Sequence, residues 1–152
     1  MRVILERSNL LKSLNHVHRV VERRNTIPIL SNVLLNATGA SLELKATDLD
    51  LEITEATAAK VETAGATTVP AHLLYDIVRK LPDGSEIMLR TDEDGGSMSV
   101  ISGRSSFKLQ CLPQSDFPEL SAGSFSHIFR IDSAALRGLI EKTQFAISTE
   151  ET

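Results

Sequence analysis

Apolar residues recur at the helical period from Ser8 to Arg23, and after Pro28 the period drops to two. That switch is the strongest restriction on the folds open to this chain. In the first stretch Leu10, Leu14, Val17 and Val21 stand at i, i+4, i+7 and i+11, with Leu11 and Val20 widening the stripe. Ser8 is the expected N-cap. Lys12, His16, Arg19 and Arg23 repeat the same spacing on the opposite face. A solvated helix face normally mixes charge signs; this one is basic until Glu22 on its flank, and the bases continue through Arg23-Arg24.

The second stretch reads as antiparallel sheet. Ser31–Asn36 and Ser41–Thr47 flank a Gly39-Ala40 turn, with Leu42, Leu44 and Ala46 pointing inward, and a further strand is expected over Leu51–Ala59. Thr67-Thr68-Val69 leads into a second helix, which opens at Pro70-Ala71 and closes at Leu81 before Pro82-Asp83-Gly84. Leu74, Ile77, Val78 and Leu81 form its apolar face, and His72, Asp76, Arg79 and Lys80 lie elsewhere on it. Three strands follow, over Glu86–Arg90, Ser97–Ser102 and Phe107–Cys111. The expected fold is therefore α+β, with two helices packed on antiparallel sheet.

The last third repeats the beginning. Ser8-x-x-Leu11-Lys12-x-Leu14 matches Ser133-x-x-Leu136-Arg137-x-Leu139 at an offset of 125, and each follows a β-like stretch, Val3–Glu6 and Ile128–Ile131. With Ser121-Ala122-Gly123-Ser124 as linker, the expected organisation is one domain over 1–123 and the beginning of a second, truncated copy over 124–152.

Composition narrows the class. At 152 residues with 41% hydrophobic content, the chain is long enough for a sizeable core. No apolar run approaches the roughly 18 residues of a membrane span. Glu6 interrupts what would have to be a signal sequence, so a cytoplasmic location is expected. The single cysteine, Cys111, precludes an internal disulfide framework and reads as a structural thiol in a strand. Asp48, Asp50 and Glu52 alternate, which leaves a small divalent-metal enzyme built on Asp48/Asp50 as one alternative; exposed strand acids are the plainer reading. His16 and His18 diverge by about 200° on a helix and cannot share one ion. No glycine-rich nucleotide loop and no Ser/His/Asp set is visible, so no catalytic residue, metal or cofactor is assigned. Two basic helix faces without base-reading aromatics suit sequence-independent contact with phosphates, although the whole chain carries a net charge of −4. A protein-interaction module with no DNA role is the other alternative.

Several strings then become recognisable: Thr26-Ile27-Pro28-Ile29-Leu30-Ser31-Asn32, Ala46-Thr47-Asp48-Leu49-Asp50, Val69-Pro70-Ala71, Arg79-Lys80-Leu81-Pro82-Asp83-Gly84, Ser102-Gly103-Arg104-Ser105, Asp116-Phe117-Pro118 and Thr143-Gln144-Phe145. In this order, they resemble the bacterial sliding-clamp family, the beta subunits of replicative DNA polymerase III. The resemblance implies a DNA-clamp fold of repeated domains, of which this chain holds the first and the opening of the second. It implies a processivity factor, in which two subunits close head-to-tail into a homodimeric ring around duplex DNA, with polymerase III subunits and the clamp loader as further partners. Their peptide-binding pocket would lie between the second and third domains. The helices Ser8–Arg23 and Pro70–Leu81 would line the hole, with Lys12, Arg24, His72, Arg79 and Arg137 toward DNA and Glu150 opening a third contact patch. Histidine at 72 and an acid at 150 depart from the arginine and glutamine the family can present there. Phe107 and Leu109, with Arg104 nearby, would form the ring interface on an edge strand. The chain alone would hold only one half of each contact and is expected to be monomeric.

Overall fold

The computed structural model describes residues 1–22, 26–119 and 126–148. The chain divides into two compact units, Met1–Leu120 and Ser121–Thr152.

The first unit holds two antiparallel sheets and two helices, and each helix connects one sheet to the other. Strand β1 (Arg2–Glu6) passes directly into helix α1 (Arg7–Val17), which leads to the meander β2 (Asn32–Thr38), β3 (Ser41–Thr47) and β4 (Glu52–Ala58). After β5 (Lys60–Thr63), the same pattern recurs: β6 (Gly65–Pro70), helix α2 (Ala71–Lys80), then β7 (Glu86–Thr91), β8 (Ser97–Ser102) and β9 (Ser105–Gln110). One sheet has the order β5-β1-β7-β8-β9 and the other β4-β3-β2-β6. The lone strand of each half therefore pairs with the first meander strand of the other. Val3 lies opposite Leu89 and Val33 opposite Val69.

Period-two patterning explains the registers. Val33, Leu35 and Ala37 of β2 and Leu42, Leu44 and Ala46 of β3 are fully buried, while Leu34, Asn36, Ser41, Glu43 and Lys45 between and beside them are partly exposed. Both sheets and both helices contribute to one core, where Leu10, Leu14 and Val17 meet Leu74, Val78, Ile87, Leu89, Met98 and Leu109. At the junction of the sheets, Asn32 Nδ2 donates to Thr68 Oγ1, which donates to the Leu112 carbonyl, each at 2.9 Å. These polar groups are hydrogen-bonded inside the core, as burial requires.

Several expectations change. α1 ends at Val17 rather than Arg23, and its N-cap is Glu6, because β1 remains paired with β7 up to that residue. Ser8 lies inside the first turn and its hydroxyl donates to Glu6 Oε1. Thr67-Thr68-Val69 belongs to β6, and Lys60–Thr63 forms a strand the pattern did not indicate.

The second unit contains helix α3 (Ser133–Thr143), capped by Asp132, whose Oδ1 accepts from the amides of Ala134 and Ala135. The stretch Ile128–Ile131 before it is not a strand. Leu136, Leu139 and Ile140 are about half exposed. α1 and α3 both have eleven residues, and their starts and ends coincide at a shift of 126, one more than the sequence match gave. In that frame Leu136, Leu139 and Ile140 correspond to the buried Leu10, Ser13 and Leu14. Arg137 then corresponds to Leu11, and the counterpart of Lys12 is Gly138.

Candidate nucleic-acid interface

α1 and α2 lie side by side and run antiparallel, as contacts at both ends require. At one end Arg7 reaches the C-terminus of α2: its Nε donates to the Val78 carbonyl at 3.1 Å and its Nη2 to the Arg79 carbonyl at 2.7 Å. Nη1 pairs with Asp83. The Val78 carbonyl also accepts from the Leu81 N–H at 3.3 Å, and a cation suits this end of the helix dipole. At the other end His72 Nε2 donates to the Val21 carbonyl at 2.7 Å. Between these ends the His18 ring stacks on Tyr75 with centroids 4.0 Å apart, and Arg79 lies 5.7 Å from the Tyr75 centroid.

This arrangement sorts the expected cations. Lys12 and Arg19 are exposed on α1 and the turn after it, and neither forms an ion pair with a described residue. His16 instead meets Glu55 of β4, Nδ1 to Oε1 at 2.7 Å. Arg79 is exposed but ion-paired with Asp76 at 3.1 Å. His72 does not fit the phosphate-contact role. Nε2 is held by Val21, and Nδ1 is buried with no hydrogen-bond partner among the described residues. Arg137 lies in the second unit, exposed and paired with Glu141 at 2.8 Å. Arg24 and Glu150 fall outside the described residues. The Arg7 staple and the His18–Tyr75 stack had no visible signal in the sequence, because their partners lie far apart along the chain.

The expected ring-interface residues separate in the same way. β9 is the edge of the five-stranded sheet. Arg104 is exposed in the β8–β9 turn, beside Gly103, whose φ of +56° would strain any side chain with a Cβ. Phe107 is 40% exposed and borders a groove of about 390 Å³ with Leu73, Ile77, Leu81 and Pro82. Leu109 is only 1% exposed and belongs to the core, so it offers no surface to a partner. Leu73, an exposed leucine off the buried stripe of α2, was the readable hint of this groove. Lys108 on β9 bonds Asp92 at 2.7 Å. That hydrogen bond, more than the one from Ser97, holds the Asp92 carboxyl below its ordinary range, and it pushes Lys108 up.

Chemistry outside these surfaces is sparse. Asp48 Oδ1 accepts from the amides of Asp50 and Leu51, closing the β3–β4 turn around Leu49 at φ 82°. Its carboxylate is thus a turn cap rather than half of a metal pair with Asp50. Among the described residues no three His, Cys, Asp or Glu side chains converge as a metal site would need. Burial pushes the half-buried Cys111 thiol up, away from the thiolate a nucleophile requires. No helix among the described residues is long and apolar enough to cross a membrane.

Comparison with known proteins gives a consistent result. The family model of the DNA polymerase III beta subunit, N-terminal domain, matches residues 1–121. The beta sliding clamp of Caulobacter vibrioides is 51% identical over 152 residues, all of this chain and 41% of the relative. That of Escherichia coli K12 is 40% identical over 99% of this chain and 41% of the relative. A crystal structure of the Bartonella birtlesii sliding clamp matches with a TM-score of 0.93 and 60% identity over 99% of this chain and 40% of that one. The chain thus spans about 41% of the length of the curated relatives it matches.

Proposed function

The chain belongs to the DNA polymerase III beta subunit family, and from that membership we propose that it supplies the first domain and the opening of a second in a sliding clamp. In this reading the protein is a non-catalytic processivity factor of the cytoplasm. It encircles duplex DNA as a homodimeric ring and tethers polymerase III subunits after the clamp loader has placed it. The proposed domains are 1–123 and 124–152.

The observation that carries the reading is the pair of antiparallel helices with cations on their exposed side. Phosphates recur along a duplex with nearly the same geometry, so contacts from Lys12, Arg24 and Arg79 are equivalent in every register and carry no sequence information. Such contacts hold DNA without fixing a position, which sliding requires. A net charge of −4 over the whole chain then disfavours DNA on other faces. The ring would close by pairing the β9 edge and the Phe107 groove with a neighbouring subunit.

A binding titration tests this. The chain should bind mixed-sequence duplex weakly, without sequence preference, and with a steep salt dependence. Lys12→Ala should lower the slope of log K against log salt by about 0.9. Tight, sequence-specific, salt-insensitive binding would overturn the reading.

A further inference from the structure

Two aromatic side chains of α2 hold the turn that leaves α1, and they frame Arg19, a cation that pairs with none of the described residues. The turn is wound tightly. Val20 N–H donates to the Val17 carbonyl and Val21 N–H to that of His18, both at 3.3 Å. Val20 and Val21 are buried, at 9% and 4% exposure, so the turn is pinned on its inner side. On the α2 side, Tyr75 lies flat against the His18 ring with 7° between the planes. His72 approaches the same ring edge-on at 5.6 Å and donates from Nε2 to the Val21 carbonyl. Arg19 falls between these two anchors. It is exposed and has no hydrogen bond or ion pair with a described residue.

We propose that His72 is a positioning residue rather than a DNA contact, and that the cation it presents is Arg19, an additional phosphate-contacting side chain. The inference rests on the DNA-holding reading above. With Nε2 bonded to Val21 and Nδ1 buried, His72 has no nitrogen to offer a phosphate. Its hydrogen bond fixes the backbone two residues beyond Arg19, and the His18–Tyr75 stack fixes the residue before it. A guanidinium held out by a fixed backbone loses less freedom on meeting a phosphate than one on a loose turn. Arginine also engages phosphate oxygens bidentately. Contacts of this kind add to the salt dependence of binding but not to sequence preference.

The test is a set of duplex titrations with the 152-residue chain over about 50–200 mM salt. Thermal melting of each variant reports whether it is folded. Arg19→Ala is expected to lower the salt slope by about 0.9, as Lys12→Ala does. His72→Ala should weaken binding in the parent but add nothing in the Arg19→Ala background, the mark of one residue acting through another. His72→Gln, whose side-chain amide can donate to the Val21 carbonyl, should bind like the parent. His72→Asn, polar but shorter, should behave like His72→Ala and serves in its place if the alanine variant unfolds. An unchanged slope in Arg19→Ala beside a reduced one in Lys12→Ala would overturn the assignment of Arg19 and leave the DNA reading standing. Additive losses from His72→Ala and Arg19→Ala would make His72 an independent contact and overturn its positioning role. A parent chain whose weak binding ignores salt would overturn the DNA reading and this inference with it.

Discussion

Arg7 shows how one side chain can join two helices. Its side chain is 12% exposed, and its fork bonds two carbonyls at the end of α2 while reaching Asp83. Arg7→Ala should cost about 1.5–3 kcal/mol, the range for hydrogen bonds to a charged group, measured by urea unfolding. Asp83 is 93% exposed, so Asp83→Ala should cost far less, which would attribute the effect to the carbonyls. Phe107 and Leu109 make a second contrast. They stand two apart on one strand and so share a face, and nothing in their sequence context tells surface from core. Leu109→Ala should cost about 2–5 kcal/mol, the range for emptying a packed site. Phe107→Ala, at a 40% exposed position, should cost clearly less in the same assay. The reverse ranking would mean that Leu109 is not a core residue in solution.

Among the elements, β5 and β6 are where local pattern fails. Lys60-Val61-Glu62-Thr63 is short and mostly exposed, and its identity as a strand comes from pairing with β1, Val61 opposite Val3. Gly65 and Pro70 bracket β6 and suggest a loop, yet Thr67, Thr68 and Val69 between them are buried against β2. Such strands are defined by partners far away in sequence rather than by their own alternation. The β7–β8 turn is tied to β9 by Asp92 and Lys108, and its stability contribution depends on pH. Asp92 has its folded-state pKa lowered from 3.8, so its contribution is present above the ordinary carboxylate range and is lost as pH falls through and below it. The melting-temperature difference between the parent and Asp92→Asn should hold steady at neutral pH and shrink below about pH 4. A difference that persists at pH 2 would assign the effect to something other than this carboxylate.

For the whole molecule the question is assembly. The β9 edge and the Phe107 groove form one unpaired surface of the first unit. An uncovered edge with apolar neighbours favours association. Lys108 and Arg104 oppose it, since a symmetric edge would bring like charges together. Sedimentation over a concentration series should therefore show a monomer at micromolar concentration. Any dimer that forms higher should disappear on Phe107→Asp. A tight dimer indifferent to that change would place the association surface elsewhere.

The sequence by itself determined the alternation of helix and strand, the buried stripes of α1, β2, β3 and α2, and the basic bias of the helix faces. Each follows from spacing between near neighbours, and that spacing decides which side of an element is apolar. Tertiary structure decided which of those cations are available. Arg7 is engaged by carbonyls 71 and 72 positions away, His16 by Glu55, and His72 by Val21, while Lys12 and Arg19 have no such partner among the described residues. The ends of α1 and α3 coincide at a shift of 126, beside the 125 of the residue match. Side-chain availability depends on contacts between distant segments, and those exist only once the chain has folded.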